Sequence, residues 1–313
     1  MKSAFIFPGQ GSQSVGMLAD AAGNWPIVEQ TFSEASDVLG YDLWHLCQHG
    51  PAEELNRTMV TQPALLTASV ALWRQWLVSD GPRPDFVAGH SLGEYSALVA
   101  AESLNFLDAV KLVSLRGELM QEAVPAGEGK MAAILGLEDN DVAAACEQAA
   151  GDDVVSAVNF NAPGQVVIAG SAAAVDRAIE ACKEKGARKA MPLPVSVPSH
   201  CALMKGAAEE LAGALDEVTF NDAVIPVVQN ASALAGQDRD TLKANLVRQL
   251  YSPVLWTDSM RHLVSEGVSV AVECGSGKVL AGLAKRIDRG LAVHGIEQPD
   301  LLAAAIQAAS AKK

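Results

Sequence analysis

Residues 86–94 read Phe86-Val87-Ala88-Gly89-His90-Ser91-Leu92-Gly93-Glu94. The first three form a short apolar run that predicts a buried strand, and the alanine-rich stretch after Gly93 predicts a helix. Between them lies the pattern G-x-S-x-G, whose small residues let the chain turn sharply from strand to helix. Such a turn lifts the hydroxyl of Ser91 clear of a sheet, so the stretch predicts an α/β fold and a candidate nucleophile.

The composition agrees with a globular α/β protein. The chain has 313 residues, of which 50% are hydrophobic and 5% aromatic, enough to bury the core of one or two domains. The apolar run Ala4–Phe7 is too short for a signal peptide, and no apolar run approaches the roughly 18 residues of a membrane helix. We therefore expect a cytoplasmic protein without a membrane partner.

Charge and cysteine content exclude several function classes. The formal net charge of -14 disfavours nonspecific binding to nucleic acid or to anionic membranes, which would repel an acidic surface. The five cysteines are odd in number and lack C-x-x-C spacing, so they predict neither a disulfide framework nor a zinc site. They fit a reducing compartment.

The pattern of strands and helices predicts two units. Ala4–Phe7 is a predicted strand followed by the turn Pro8-Gly9-Gln10-Gly11 and a helix over Ser12–Ala22. Further helices are predicted over Pro26–Leu39, Pro51–Asn56, Gln62–Val78 and Phe106–Val124.

From Met131 the order becomes strand, helix, strand, strand, helix, strand, which is the ferredoxin-like βαββαβ motif. Three prolines (Pro192, Pro194 and Pro198) interrupt the chain after it, and predicted strands over Val224–Gln229, Val268–Glu273 and Leu291–Gly295 resume the α/β pattern. We expect an α/β-hydrolase-like catalytic domain with a parallel sheet, formed by residues 1–127 and 196–313. The ferredoxin-like subdomain, residues 128–195, would be inserted into it.

A serine hydroxyl needs a base to act as a nucleophile near neutral pH. Among the six histidines, His200 lies in a proline-bounded loop, where catalytic groups are commonly mounted. His90 is the neighbour of Ser91 in the turn and is expected to point away from it. The other four histidines lie in ordinary helix-like or strand-like surroundings, where a structural role is more common.

Several motifs recur in order along the chain. They read FPGQGSQ (7–13), GHSLGEYS (89–96), MQEA (120–123), VNFN (158–161), PSH (198–200) and QLYSPV (249–254). With these motifs the chain resembles, essentially from end to end, the malonyl-CoA:acyl carrier protein transacylases of the bacterial dissociated fatty-acid synthase. It departs from the usual pattern at Cys274 and Ser276, where an aliphatic residue and a proline are more common, and at Gln229-Asn230, often a pair of asparagines.

The resemblance implies a role for each matching residue. Ser91 would be the nucleophile and His200 its base, oriented by the main-chain carbonyl of Gln249 instead of an aspartate. The backbone N–H groups of Gln10 and Leu92 would form the oxyanion hole.

Arg116 lies in an apolar helix, where by itself a salt bridge to Glu118 or Asp108, or a snorkelling side chain, is the more common outcome. The resemblance assigns it to the free carboxylate of a malonyl group. The resemblance also implies the residues of the pocket wall: Ser199, Asn159 and Asn161 as polar groups, and Met120 and Val195 as apolar ones.

The implied function is ping-pong transfer of malonyl from malonyl-CoA to the phosphopantetheine thiol of acyl carrier protein, for fatty-acid synthesis. No metal or redox cofactor is implied, since the coenzyme A and phosphopantetheine thioesters are substrates. Four cations are candidates for docking an acidic carrier protein, or simply form a solvated helix face: Lys278, Lys285, Arg286 and Arg289. Open alternatives are the malonyltransferase subunit of a malonate decarboxylase, a serine hydrolase on the same elbow and a non-catalytic scaffold.

Overall fold

The computed structural model describes residues 2–195 and 197–311 of the chain. The domain boundary predicted at Ser196 lies outside the described residues, as do Met1 and residues 312–313 at the ends of the larger predicted domain.

The described residues form ten strands and fourteen α-helices, with one 3₁₀ turn over Ala202–Met204. In chain order they are β1 (Lys2–Phe7), α1 (Ala19–Asn24), α2 (Ile27–Leu39), α3 (Leu43–His49), α4 (Ala52–Leu55), α5 (Thr58–Val78), β2 (Phe86–Gly89), α6 (Gly93–Ala100), α7 (Phe106–Glu122), β3 (Gly129–Leu135), α8 (Asp139–Ala150), β4 (Val155–Ala162), β5 (Gln165–Ser171), α9 (Ala172–Glu184), β6 (Lys189–Pro192), α10 (Lys205–Asp216), β7 (Val227–Val228), β8 (Ala235–Gly236), α11 (Arg239–Gln249), α12 (Trp256–Ser265), β9 (Val268–Glu273), α13 (Val279–Ile287), β10 (Ala292–Gly295) and α14 (Pro299–Ser310).

The larger sheet has the strand order β10-β9-β1-β2-β7-β8. Its first five strands are parallel and β8 alone runs antiparallel, so the predicted α/β class with a parallel sheet is confirmed. The central strand β1 is buried on both faces. Phe5 packs edge-on against Trp73 and Trp76 of α5, while Ile6 faces the opposite cluster around Trp256.

The carboxyl ends of β1, β2 and β7 meet at one edge of this sheet. Gln10 follows β1, Ser91 follows β2 and Asn230 follows β7. Ligands of open parallel sheets bind at this edge, because the loops that leave the strands converge there. The topology therefore brings together side chains that are far apart in sequence.

The residues from β3 to β6 form a second, antiparallel sheet of order β4-β5-β3-β6. Helices α8 and α9 cover one face of it through an apolar cluster that includes Val142, Val166 and Ile179. This unit contacts the larger one through β4. The Phe160 N–H donates to the Val254 carbonyl at 3.0 Å, and the Val254 N–H donates to the Val158 carbonyl at 2.8 Å.

Two predicted elements are wrong in extent. The helix expected over Ser12–Ala22 begins at Ala19, because Gly11, Gly16 and Leu18 all take positive φ values and hold the preceding stretch in turns. The strand expected over Val224–Gln229 shrinks to Val227–Val228, because Pro226 has no N–H to donate to a sheet.

Within the described ranges, no helix has both the length and the apolar character needed to cross a bilayer.

Candidate active site

Ser91 lies in the tight turn between β2 and α6, with φ at +52°. The turn is packed so closely that a Cβ on Gly89 would overlap the backbone of Gly93, and one on Gly9 would overlap the His90 carbonyl. Glycine at 89 and at 9 therefore has a steric reason beyond flexibility. The left-handed backbone of Ser91 costs about 1–3 kcal/mol, which the surrounding contacts must offset.

The hydroxyl of Ser91 lies against the imidazole of His200. The Ser91 Oγ to His200 Nε2 distance is 2.7 Å, and His200 Nδ1 lies 2.8 Å from the carbonyl oxygen of Gln249. A carbonyl can only accept, so Nδ1 carries the hydrogen and Nε2 is left as the acceptor for the serine proton. This is the tautomer that a general base needs.

His200 is held in its neutral form. Its side chain is buried, and burial followed by the nearby charge of Arg116 lowers its pKa to about 3. Both causes disfavour a second positive charge beside the guanidinium. The imidazole can therefore accept a proton at any pH well above 3.

Arg116 is 1% exposed, yet no carboxylate of a described residue lies within salt-bridge distance of it. Its Nη1 donates to Gln62 Oε1 at 2.7 Å, and its Nη2 donates to Gln249 Oε1 at 3.0 Å and approaches Ser91 Oγ at 3.4 Å. Its Nε has no hydrogen-bond partner among the described residues. A buried cation whose hydrogen-bond partners are all neutral favours an anionic ligand.

These groups line one cleft between the two sheets, with a cavity volume of about 120 Å³. Six of the predicted site residues besides Ser91, His200 and Arg116 lie on its wall. They are Gln10, Leu92, Met120, Asn159, Val195 and Ser199. The cleft thus combines a polar end at the elbow with an apolar wall.

Asn161 has a different place from the predicted one. It does not line the cleft; its Oδ1 lies 2.7 Å from His90 Nε2. His90 also packs edge-on against Trp256, with the ring centroids 5.4 Å apart. The residue next to Ser91 is therefore connected to the smaller sheet.

The N–H groups of Gln10 and Leu92 donate to no acceptor among the described residues. Both residues lie on the cleft wall beside Ser91. Two unused backbone donors near a candidate nucleophile can accept a developing negative charge.

Three further residues hold the site together and were given no role by the sequence analysis. Gln62 holds Arg116, Asn230 accepts from the Ser91 N–H at 2.7 Å, and Glu94 lies behind the elbow with no exposure. Gln62 could have been noticed as an amide side chain in a helix that has no distinct polar face. Asn230 could have been noticed as the residue that follows a strand of the parallel sheet.

The four candidate docking cations are all exposed. Arg286 differs from the other three because it reaches the β4–β5 hairpin, where it donates to Gln165 Oε1 and, at 3.2 Å, to the Pro163 carbonyl. None of the four forms a salt bridge with another described residue. Lys278, Lys285 and Arg289 therefore remain available to an acidic surface.

Comparison with known proteins agrees with this geometry. A family model described as "acyl transferase domain" matches residues 4–296. The chain is 59% identical to the malonyl CoA-acyl carrier protein transacylase of Escherichia coli, over 97% of this chain and 98% of the relative.

Two solved structures superpose closely on this one. An acyl carrier protein S-malonyltransferase from Vibrio cholerae is 57% identical, with a TM-score of 0.95 over 97% of this chain and 99% of the other. A malonyl-transacylase solved in complex with its type II PKS acyl-carrier protein is 53% identical, with a TM-score of 0.97 over 98% and 100%. The chain therefore belongs to the acyl transferase domain family, in the group of the malonyl CoA-acyl carrier protein transacylases.

Proposed function

We propose that the chain transfers the malonyl group of malonyl-CoA to the phosphopantetheine thiol of an acyl carrier protein, through a malonyl-Ser91 ester. One observation carries the proposal: the Ser91–His200 pair, 2.7 Å apart, shares a cleft with the buried guanidinium of Arg116. Relatives that carry the names malonyl CoA-acyl carrier protein transacylase and malonyltransferase support the same reaction.

In the first half-reaction the Ser91 Oγ attacks the thioester carbon while His200 Nε2 takes the hydroxyl proton. The C–S bond then breaks, and the proton on His200 passes to the departing sulfur of coenzyme A. The Gln249 carbonyl keeps Nδ1–H in place, as a carboxylate does in other serine enzymes. A neutral carbonyl stabilises the imidazolium less than a carboxylate would, which suits a reversible transfer.

The tetrahedral intermediate carries its negative charge on the former carbonyl oxygen. The backbone N–H groups of Gln10 and Leu92 are the proposed donors to this oxygen, and each would lower the activation barrier by about 3 kcal/mol. Their lack of other acceptors among the described residues supports this role.

Arg116 is the proposed partner of the free malonyl carboxylate. A planar guanidinium can pair with both carboxylate oxygens, and an acetyl group would leave it unpaired. Asn159 and Ser199 would provide polar contacts to the acyl chain, and Met120 and Val195 the apolar wall.

In the second half-reaction the phosphopantetheine thiol takes the malonyl group from Ser91. His200 accepts the proton of this thiol and returns it to the Ser91 Oγ.

Four cations are proposed to offset the repulsion between this acidic chain and an acidic carrier protein: Lys278, Lys285, Arg286 and Arg289. Since the transfer exchanges one thioester for another through a serine ester, without a change of oxidation state, we expect the reaction to need no metal or redox cofactor and to take place in the cytoplasm.

The two sheets are proposed to belong to two domains. We assign residues 1–127 and 196–313 to an α/β-hydrolase-like catalytic domain and residues 128–195 to an inserted ferredoxin-like subdomain. The strand order β4-β5-β3-β6 with two helices on one face supports the second assignment.

The test is mass spectrometry of the protein after incubation with malonyl-CoA, with and without holo acyl carrier protein. We expect a malonyl adduct on Ser91 that disappears in Ser91→Ala and moves to the carrier protein when it is added. Rapid release of free malonate would instead indicate a hydrolase. Transfer only to the carrier subunit of a malonate decarboxylase would indicate that enzyme's malonyltransferase, and no adduct would indicate a scaffold.

A further inference from the structure

A buried carboxylate lies directly behind the elbow that carries Ser91. Glu94 is in the first turn of α6 and has no exposure to solvent. It does not line the cleft, so it touches no substrate there. A fully buried carboxylate is costly unless it has hydrogen-bond partners, and its presence calls for a reason.

Both oxygens of Glu94 bind the loop that follows β7. Oε2 accepts from the backbone N–H of Asn230 at 2.8 Å, and Oε1 accepts from Gln229 Nε2 at 3.2 Å. Gln229 is fixed in turn, because its Nε2 also donates to the Leu242 carbonyl and its Oε1 accepts from Asn245. The carboxylate therefore fixes the position of Asn230 relative to α6.

The side chain of Asn230 bridges two backbone groups of the elbow. Its Oδ1 accepts from the Ser91 N–H at 2.7 Å, and its Nδ2 donates to the Gly89 carbonyl at 2.6 Å. These two bonds hold the residues on either side of His90. They therefore stabilise the left-handed backbone of Ser91, which directs Oγ toward His200.

We propose that Glu94 is a positioning residue of the transfer reaction: through Asn230 it holds the Ser91 backbone so that Oγ stays within hydrogen-bond distance of His200. The inference deepens the function proposed above and rests on it, since it assumes that Ser91 is the nucleophile. It assigns no direct contact between Glu94 and the substrate.

A positioning role predicts a change in kcat without a matching change in KM. The direct hydrogen bonds of the Arg116 guanidinium are to Gln62 and Gln249, and Glu94 acts on it only through its charge. Since small displacements of a reacting group cost up to about 100-fold in rate, we expect Glu94→Ala to lower kcat roughly 10- to 100-fold and to leave KM for malonyl-CoA within about twofold. Glu94→Gln keeps an oxygen for the Asn230 N–H and should recover most of that loss.

The matched control is Glu273→Ala. Glu273 is 1% exposed and accepts the N–H groups of Leu280 and Ala281 at 2.8 Å each, so it is a buried, twice-bonded carboxylate like Glu94. Burial raises the pKa of both carboxyl groups to about 7. This variant should lose thermal stability but keep the kcat of the native enzyme.

A substrate-independent measurement separates this inference from the proposed function. Phenylmethylsulfonyl fluoride reacts with an activated serine, and mass spectrometry gives its rate of reaction at Ser91. We expect that rate to fall in Glu94→Ala by the same factor as kcat. If native protein is never malonylated but this rate still falls, the proposed function fails and the positioning role stands.

Asn230→Asp supplies a second route if Glu94→Ala does not fold. It keeps the acceptor for the Ser91 N–H but places an oxygen against the Gly89 carbonyl, so sulfonylation should slow at least tenfold, by roughly 1.4 kcal/mol. A native reaction rate at Ser91 in Asn230→Asp, or in a folded Glu94→Ala, would overturn the proposal. Equal losses of kcat in Glu94→Ala and Glu273→Ala would overturn it as well.

Discussion

At the scale of single residues, Gln249 connects three parts of the site. Its main-chain carbonyl accepts from His200, its Oε1 accepts from Arg116, and its Nε2 donates to the Ser91 carbonyl at 3.0 Å. The motif around 249 predicts the first of these contacts but not the other two. They join residues 133 and 158 positions apart, and such contacts follow from the fold rather than from local sequence.

Arg116→Ala should reduce the preference for malonyl over acetyl groups. A hydrogen-bonded charge pair contributes about 1.5–3 kcal/mol, so the rate with malonyl-CoA should fall roughly 10- to 100-fold. The rate with acetyl-CoA should change far less, because acetyl has no carboxylate to bind. Initial rates with the two donors check this.

The control for that variant is Arg74→Ala. Arg74 binds Glu34 at 2.9 Å and does not line the cleft. Its removal should leave the ratio of the two rates unchanged. An unchanged ratio in Arg116→Ala would contradict the role given to that residue.

The activity should not fall as the pH drops through 6.5. Burial and the charge of Arg116 lower the pKa of His200 from 6.5 to about 3, so the imidazole stays neutral and able to accept a proton. Plots of kcat/KM against pH report the ionisation of the free enzyme. We expect the plot for malonyl-CoA to be flat between roughly pH 5 and 8.

A second buried group complicates that measurement and needs a control. Burial raises the pKa of Glu94 to about 7, so the plot should be repeated with Glu94→Gln. A fall of kcat/KM below about pH 6.5 that persists in this variant belongs to His200 and contradicts the expectation.

The same histidine affects stability. The unfolded chain protonates His200 below pH 6.5 while the folded chain does not, so this histidine lowers the free energy of unfolding as the pH falls toward 3.

At the scale of elements, the sequence predicts the parts with strong local signals. The bounds of β9 (Val268–Glu273) agree with prediction, and α2 (Ile27–Leu39) begins one residue after its predicted start, since each has a clear apolar pattern. Helix α3 (Leu43–His49) was not predicted, although Asp42 caps it by accepting from the His45 N–H. The turns before α1 depend on backbone angles at Gly11, Gly16 and Leu18 that no periodicity reveals.

Gly93→Ala should destabilise the contact between β1 and α6. A Cβ there would overlap the Phe7 carbonyl, which belongs to the rigid central strand. Overpacking of this kind costs about 1–3 kcal/mol, so the melting temperature should drop measurably. Differential scanning calorimetry checks the prediction.

Gly213→Ala is the matched control. Gly213 lies within α10, and nothing lies within 4 Å of the position that its Cβ would take. The added helix propensity should stabilise the protein by about 0.5–1 kcal/mol. A Gly93→Ala variant as stable as Gly213→Ala would show that the elbow can relax around a methyl group.

At the scale of the whole molecule, the net charge of -14 opposes an acidic partner. The double variant Lys285→Glu with Arg289→Glu should raise KM for holo acyl carrier protein several-fold at low salt, because attraction between these residues and an acidic partner becomes repulsion. KM for malonyl-CoA should not change. The difference between the variant and native proteins should shrink at high ionic strength.

That experiment leaves Arg286 in place, because its bonds to the β4–β5 hairpin would confuse a docking effect with a structural one. A charge-neutral double variant, Lys285→Gln with Arg289→Gln, should give an intermediate KM. Equal effects on the KM values of both substrates would argue against docking at these residues.

The bond between His90 and Asn161 sets a condition for building chimaeras. Any graft that replaces the residues from β3 to β6 with those of a relative also replaces the amide that anchors the neighbour of the reactive serine. A transplanted segment that lacks an asparagine at this position would leave the His90 imidazole without its hydrogen-bond partner. The choice of a donor segment therefore depends on the residue at position 161 as well as on the rest of the contact with the larger sheet.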